Sequence, residues 1–79
     1  MKTLAEFVKE KRRSVSITQK ELADKSGVAL TVIRKIEQGK VNLSLEKVNQ
    51  VLRLFGHELA PVGSRNLADL KNETDIKLF

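Results

Sequence analysis

Three cations lie in the stretch GVALTVIRKIEQGK, which covers residues 27–40. Arg34, Lys35 and Lys40 carry only hydrogen-bond donors, so they bind anions such as phosphate or acceptor atoms such as those of guanine. Apart from Arg34 and Lys35, nearly all residues from Val28 to Ile36 are apolar. The stretch therefore combines residues suited to a core with residues suited to an anionic or acceptor-rich partner.

Side chains that commonly carry out catalysis are scarce in this chain. It has one histidine, no cysteine and no tyrosine, and it has no glycine-rich loop that would cradle a phosphate. His57 precedes a short apolar run, where a lone histidine is typical of a surface or packing residue. The carboxylates are scattered, mostly beside lysines, and no ligands are spaced for a metal ion. We therefore predict that the protein is not an enzyme and has no cofactor or metal site.

The positive charge of the chain is concentrated in its first half. Residues 1–40 hold ten Lys or Arg against five Asp or Glu, which accounts for the whole net charge of +5. The segments 41–62 and 63–79 are each balanced. A polyanion such as nucleic acid is the natural partner for such a surface. The charge alone is equally compatible with a small protein that excess lysine keeps soluble.

The length of 79 residues predicts one small domain, whose core is marginal without a second copy of the chain. The absence of cysteine fits a reducing cytoplasm, and no apolar run approaches the roughly 20 residues of a membrane span. We therefore expect a cytoplasmic protein, and dimerisation is a natural way to enlarge its core.

Apolar spacing and capping residues predict a first helix over residues 3–13 and a second from Thr18 to about residue 25. The basic end of the first helix, residues 9–13, also suits the helix dipole. Thr18 and Glu21 are spaced as a capping box, in which each side chain binds the other residue's backbone N–H. Gly27 accepts the left-handed backbone that ends a helix.

A third helix is predicted over about residues 29–37, with one inward stripe and one outward face. The inward stripe comprises Ala29, Val32, Ile33 and Ile36. The outward face comprises Leu30, Thr31, Arg34, Lys35 and Gln38.

A fourth helix is predicted from Ser44, a good N-cap, through about residues 45–55. The loop before the second helix is expected to turn Val15 and Ile17 inward. The inward residues predicted for the fourth helix are Leu45, Val48, Leu52 and Phe55.

The segment HELAPV, residues 57–62, is too short for a helix and is predicted to be an extended strand. A lone strand leaves backbone groups unpaired, so we expect it to pair with the same strand of a second chain. The alternative is a solvated segment lying on the domain. Asn66 is able to cap one further helical turn in the tail, residues 63–79. The predicted dimerisation residues are Glu58, Leu59, Ala60 and Val62.

A short capped helix, a glycine turn and a second helix with a polar, basic outer face form a helix-turn-helix. The sequence TQKELADKSGVALTVIRKIEQGK also resembles the lambda-repressor-like domain of Cro/C1-type regulators, and the resemblance covers residues 4–56. It rests on the Thr-Gln opening, Glu-Leu-Ala, the Gly-Val turn and Ile-x-x-Ile-Glu-x-Gly-Lys. It implies a mainly α bundle of four to five helices over residues 1–56, a double-stranded DNA operator as partner, and one short C-terminal strand pairing across a dimer.

The resemblance also implies roles for individual residues. Gln19 falls where the family places a residue that contacts phosphate and buttresses the reading helix, and Glu37 matches the family's structural acid, with a role expected at the helix end. The expected base-reading residues are Ala29, Leu30, Thr31, Arg34 and Lys35. The expected phosphate-contacting residues are Thr18, Gln19, Lys40 and Asn42.

Two positions at the front of the third helix depart from the family pattern. The family often has Ser or Thr in place of Ala29, and Gln or Arg in place of Leu30. These apolar side chains are able to touch thymine methyl groups, while Arg34 or Lys35 donates to guanine. The alternative is that Leu30 packs against a neighbouring helix and that only Thr31, Arg34 and Lys35 read bases.

The sequence Gly-x-Glu-Leu, which begins at Gly56, and the extended end after it also resemble Hip-type antitoxins, which narrows the resemblance. In those proteins a strand after the last helix builds the dimer, and the antitoxin represses its own operon and binds a toxin kinase. Leu78 and Phe79 fit a tail that binds such a partner, although a frayed terminus fits equally well. The other open readings are a stand-alone Cro/C1-type regulator and a protein-binding module on the same scaffold.

Overall fold

The computed structural model describes residues 2–61 and folds them into four helices. Helix α1 covers Leu4–Ser14, α2 covers Gln19–Ser26, α3 covers Leu30–Glu37 and α4 covers Leu45–Leu54. All four predicted helices are confirmed, and each predicted boundary lies within one residue of the observed one. The helical turn expected after Asn66 lies outside the described residues.

Three of these helices begin with a side-chain cap. Oγ1 of Thr18 accepts a hydrogen bond of 3.1 Å from the N–H of Glu21, and Oε1 of Glu21 accepts one of 2.8 Å from the N–H of Thr18, which confirms the predicted capping box. Thr3 forms an equivalent box at α1, and Ser44 caps α4. Helix α3 is the exception, because its N-cap is Ala29, which has no side-chain acceptor.

Nine apolar residues, drawn from all four helices and from the turn between α2 and α3, are buried. They are Val8, Leu22, Ala23, Val28, Ile33, Ile36, Val48, Val51 and Leu52. Burial of apolar surface is the dominant favourable contribution to the free energy of folding. Helix α3 packs against each of the other three helices, so the core fixes its position in the domain.

Three predictions about inward residues are wrong. Val15 is 55% exposed because it lies in the turn after α1, and Leu45 is 71% exposed because it is the first residue of α4. Ala29 is exposed because it precedes the first helical residue of α3. Val51, which was not predicted, is fully buried in α4.

Residues 57–61 follow α4 along the domain and form neither helix nor strand. The N–H of Leu59 donates to Oδ1 of Asn49 over 2.7 Å, and the ring of His57 packs edge-on against Phe7 with centroids 4.7 Å apart. The predicted strand needs a second chain and includes Val62, which lies outside the described residues, so it stays a prediction. Within residues 2–61, no helix is long and apolar enough to span a membrane.

Candidate nucleic-acid interface

Helices α2 and α3 pack against each other across a tight turn. Gly27 has φ of 80°, and the N–H groups of Gly27 and Val28 both donate to the carbonyl oxygen of Ala23, over 2.9 and 3.2 Å. A left-handed residue followed by a buried apolar one is a common way to end a helix, and a side chain at Gly27 would strain this backbone. The turn therefore sets the angle at which α3 leaves α2.

Helix α3 has one buried face and one exposed face. Ile33 and Ile36 are buried, with 0% and 1% of their surface accessible. Between Leu30 and the C-cap of α3, the exposed residues are Thr31, Arg34, Lys35 and Gln38. At about 100° per residue these four fall within an arc of about 100°, so they form a single surface. We call this surface the outward face of α3.

The two apolar residues at the front of α3 differ in exposure. Ala29 is exposed at the N-cap, whereas Leu30 is half-buried and packs against the core cluster. This position favours the alternative in which Leu30 serves packing. Ala29 then offers the only apolar side chain at the exposed front end of the helix within the described residues.

A partly buried polar network, with Glu37 at its centre, joins three helices. Arg12 in α1 donates to both carboxylate oxygens of Glu37 in α3, over 2.8 and 3.0 Å, and to the carbonyl oxygen of Ile17 over 3.0 Å. Nε2 of Gln19 in α2 donates to Oε1 of Glu37 over 3.1 Å. The prediction of a local role for Glu37 at the helix end is therefore wrong, because this carboxylate links α1, α2 and α3.

Sequence reasoning missed the partner of Glu37. Arg12 was grouped with the other cations at the end of α1, yet its side chain is only 14% exposed and that of Glu37 only 3% exposed. The available signal was the acid itself, because a carboxylate directly after the buried stripe of a helix needs a cation or several hydrogen-bond donors if it is buried too. Gln19 buttresses α3 through this network, and its contact with phosphate stays a prediction.

Electrostatics within the network favour the charged forms of both groups. Burial raises the pKa of Glu37, but the hydrogen bonds from Arg12 and Gln19, with the charges of Arg12 and Lys9, lower it by more, so the pKa lies below its ordinary value. The hydrogen bond that Arg12 donates to Glu37 raises the pKa of Arg12. The pair therefore stays ionised, and it holds the end of α3 against α1 and α2.

The cations of the outward face, and Lys40 in the loop that follows α3, have a different environment. Arg34, Lys35 and Lys40 are exposed, and none of them takes part in the ion pairs found within residues 2–61. Glu37, the acidic residue of α3, faces inward and is bound to Arg12. The outward face therefore presents positive charge without a neutralising partner in the described part of the chain, as a surface that binds a polyanion does.

The residues predicted to contact phosphate lie at two places beside α3. Thr18 and Gln19 begin α2, where Thr18 is exposed and Gln19 is half-buried. Lys40 and Asn42 are exposed in the loop after α3, whose start is fixed by Gly39 with φ of 77°. Thr18 already accepts the hydrogen bond from Glu21, so its hydroxyl proton is the group that remains to donate.

Three of the predicted dimerisation residues lie in the segment after α4, where Leu59 donates through its N–H to Asn49. Leu59 is half-buried, and Glu58 and Ala60 are exposed. With Leu45, Asn49 and Pro61, Leu59 and Ala60 line a shallow, mostly apolar groove. Val62, Leu78 and Phe79 lie outside the described residues. Within residues 2–61, no group of three His, Asp or Glu side chains is arranged to hold a metal ion.

Comparison with known proteins agrees with this geometry. The helix-turn-helix family model matches residues 8–60, which is more than half of the chain. A relative from Methanothermobacter thermautotrophicus, an uncharacterized HTH-type transcriptional regulator, is 34% identical over 58 residues, which cover 73% of this chain and 80% of the relative. No solved structure matches the chain at a significant level. The chain therefore belongs to the helix-turn-helix family of Cro/C1-type regulators.

Proposed function

We propose that the chain is a sequence-specific DNA-binding repressor that acts as a homodimer and represses its own operon. The outward face of α3 carries the proposal, because it presents hydrogen-bond donors and uncompensated positive charge on a helix that the core and the Glu37 network hold against α1 and α2. Family membership and the description of the relative as a transcriptional regulator support the same function.

In this proposal α3 enters the major groove. Arg34 and Lys35 donate to guanine O6 and N7, Thr31 contacts either base type, and Ala29 touches a thymine methyl group. Thr18, Gln19, Lys40 and Asn42 bind the phosphates on either side, which fixes the register of the helix but carries no sequence information. Leu30 is the least exposed of the predicted readers, and we assign it a packing role.

The homodimer forms through residues 57–62 and the N-terminal end of α4, where Leu45 lies. The exposed side chain of Leu45 and the groove beside Leu59 give this side of the domain an apolar surface that a second copy would cover. Two reading helices would then lie about 34 Å apart and meet half-sites one DNA turn apart. Deletion of residues 57–79 is expected to give a monomer in sedimentation, and a truncated chain that remains dimeric would contradict this interface.

A finer proposal is that the chain is the antitoxin of a Hip-type operon and binds a toxin kinase through its tail. Its support is the resemblance of the Gly-x-Glu-Leu segment at Gly56 and of the ending with Leu78 and Phe79. Co-purification of the full chain with the product of a neighbouring kinase-like gene, lost on Phe79→Ala but not on Arg34→Ala, would support it. A stand-alone regulator would show no such complex.

The first experiment is fluorescence anisotropy of the full chain on duplex DNA from upstream of its own gene, with a random duplex as competitor and at several salt concentrations. A preference of roughly 10³ or more, falling steeply with added salt, is expected of a specific repressor. Equal, weak binding to both duplexes would contradict autorepression. A protein-binding module on the helix-turn-helix scaffold would then be the better reading.

A further inference from the structure

Gln38 lies in the middle of the outward face of α3, although it was not among the predicted base readers. It is seven residues after Thr31, and at about 100° per residue the two side chains share one line along the helix, with Arg34 and Lys35 on either side. The line is about 10 Å long, which fits within the roughly 12 Å width of the major groove. Gln38 is therefore placed where a groove-bound α3 would present it to DNA.

The backbone that carries Gln38 is held by three hydrogen bonds. The N–H of Gln38 donates to Arg34 over 2.9 Å, that of Gly39 to Ile36 over 3.1 Å, and that of Lys40 to Lys35 over 3.0 Å, each at the carbonyl oxygen. This closed helix end fixes the direction in which the Gln38 side chain leaves the helix. The side chain itself is exposed and takes part in none of the side-chain hydrogen bonds found within residues 2–61.

The amide of Gln38 differs chemically from its neighbours. Arg34 and Lys35 only donate, whereas a glutamine amide both donates and accepts side by side. Adenine presents the matching pair in the major groove, with N7 as acceptor and N6 as donor. We propose that Gln38 is a specificity-determining residue that reads an adenine near the guanines read by Arg34 and Lys35, an inference that rests on the proposed function.

A phosphate contact would use only the donor half of this amide. Lys40, two residues later, is an exposed cation that performs that role with a full charge. The two residues therefore have different roles in this proposal. Gln38 distinguishes DNA sequences, and Lys40 strengthens binding to all sequences alike.

The test is selection from a pool of randomised duplexes by the full chain, by Gln38→Ala and by Lys40→Ala, with enriched duplexes sequenced and their affinities measured. The wild type is expected to enrich half-sites that contain guanine and adenine. Gln38→Ala should lose about 5- to 150-fold discrimination at one adenine per half-site and keep the guanine preference. Lys40→Ala should keep both preferences and bind every duplex more weakly.

Replacing that adenine by 7-deazaadenine removes its N7 acceptor and provides a second arm. The replacement should weaken wild-type binding and leave Gln38→Ala unaffected. Uniform weakening by Gln38→Ala on all sequences, or no change in the enriched motif, would overturn the role of Gln38 while leaving the repressor proposal intact. A wild type that enriches no motif would overturn the proposed function itself. A thermal melt of Gln38→Ala at the wild-type temperature confirms that the variant is folded.

Discussion

Arg12 and Arg34 show two opposite uses of the same side chain in one small domain. Arg12 lies beneath the helix-turn-helix, is 14% exposed, and donates to Glu37 and to the backbone of Ile17. Arg34 lies on the outward face of α3, is exposed, and takes part in none of the ion pairs of residues 2–61. The first arginine is satisfied within the fold, and the second is left available for a partner.

The same contrast extends along α3. On its inward side every charged group has a partner, and the helix is joined to α1 and α2 through Glu37. On its outward side the cations are not neutralised, and the N-terminus lacks the side-chain cap that α1, α2 and α4 possess. Inward changes should therefore reduce stability, and outward changes should alter DNA binding with little loss of stability.

Glu37→Ala is expected to give the largest effect. Removing this carboxylate leaves the guanidinium of Arg12, whose side chain is only 14% exposed, without a charged partner and the amide of Gln19 without its acceptor. The loss should be about 3–5 kcal/mol of unfolding free energy, measured by denaturant titration. Glu46→Ala, which removes an exposed acid in the first turn of α4, is the control and should change stability by less than about 0.5 kcal/mol. Equal losses for the two variants would contradict the network's role.

Acid should weaken the same network by a smaller amount, since a protonated carboxyl keeps part of its hydrogen bonding. The pKa of Glu37 is lower in the folded chain than its ordinary value of 4.5. Its stabilising contribution is therefore complete above about pH 4.5 and is lost as the pH falls through the folded-state pKa. Glu37→Gln should be less stable than the wild type at pH 7, and this difference should shrink below pH 4.5. A difference that stays constant between pH 7 and pH 3 would contradict the lowered pKa.

Arg34→Ala tests the outward side of the comparison. If Arg34 donates to a guanine, the variant should lose about 1–3 kcal/mol of binding free energy on the operator and relax specificity at one base pair. Its melting temperature should match the wild type. Arg53→Ala provides a matched control, because it removes an exposed arginine from the last turn of α4. A large fall in stability for Arg34→Ala would show that this side chain serves the fold.

Lys40→Ala should have a more uniform effect on binding. Lys40 is exposed in the loop after α3 and is expected to bind phosphate only. The variant should weaken binding to operator and random duplexes by the same factor and reduce the slope of log affinity against log salt by about one. Anisotropy titrations at several salt concentrations measure both quantities. A changed preference between the two duplexes would place Lys40 among the base-reading residues.

The helices could be predicted because their signals are local. Thr18 and Glu21 are three residues apart, and Gly27 ends α2 through its own backbone, so a short stretch of sequence contains the whole determinant. The errors occurred at helix ends. Leu45 and Ala29 fit an apolar stripe by spacing, but residues at a helix start lie ahead of the turns that pack on the core, and periodicity does not encode this.

The site was predictable to a different degree on its two sides. Exposure of Thr31, Arg34 and Lys35 follows from helical spacing alone, because the stripe of Ile33 and Ile36 fixes which face is buried. The pairing of Arg12 with Glu37 does not follow from helical spacing, because these residues are 25 positions apart and meet only when α1 packs against α3. Contacts between distant segments depend on the tertiary arrangement, which local patterns leave open.

Ala29→Ser should have the smallest effect and sharpen the comparison most directly. Ala29 already has the extended backbone of an N-cap, with φ of −71° and ψ of 152°, so a serine hydroxyl at this position is expected to accept a hydrogen bond from the first turn of α3. The variant should gain about 0.5–1 kcal/mol of stability, whereas Thr18→Ala, the reverse change at α2, should lose about 1 kcal/mol. Denaturant titration measures both changes. If Ala29→Ser is more stable yet binds the operator less tightly, the uncapped N-terminus of α3 lowers the stability of the domain and strengthens its contact with DNA. No gain in stability would mean that the α3 N-terminus is already satisfied by solvent, and the contrast between the two sides of α3 would then rest on their charges alone.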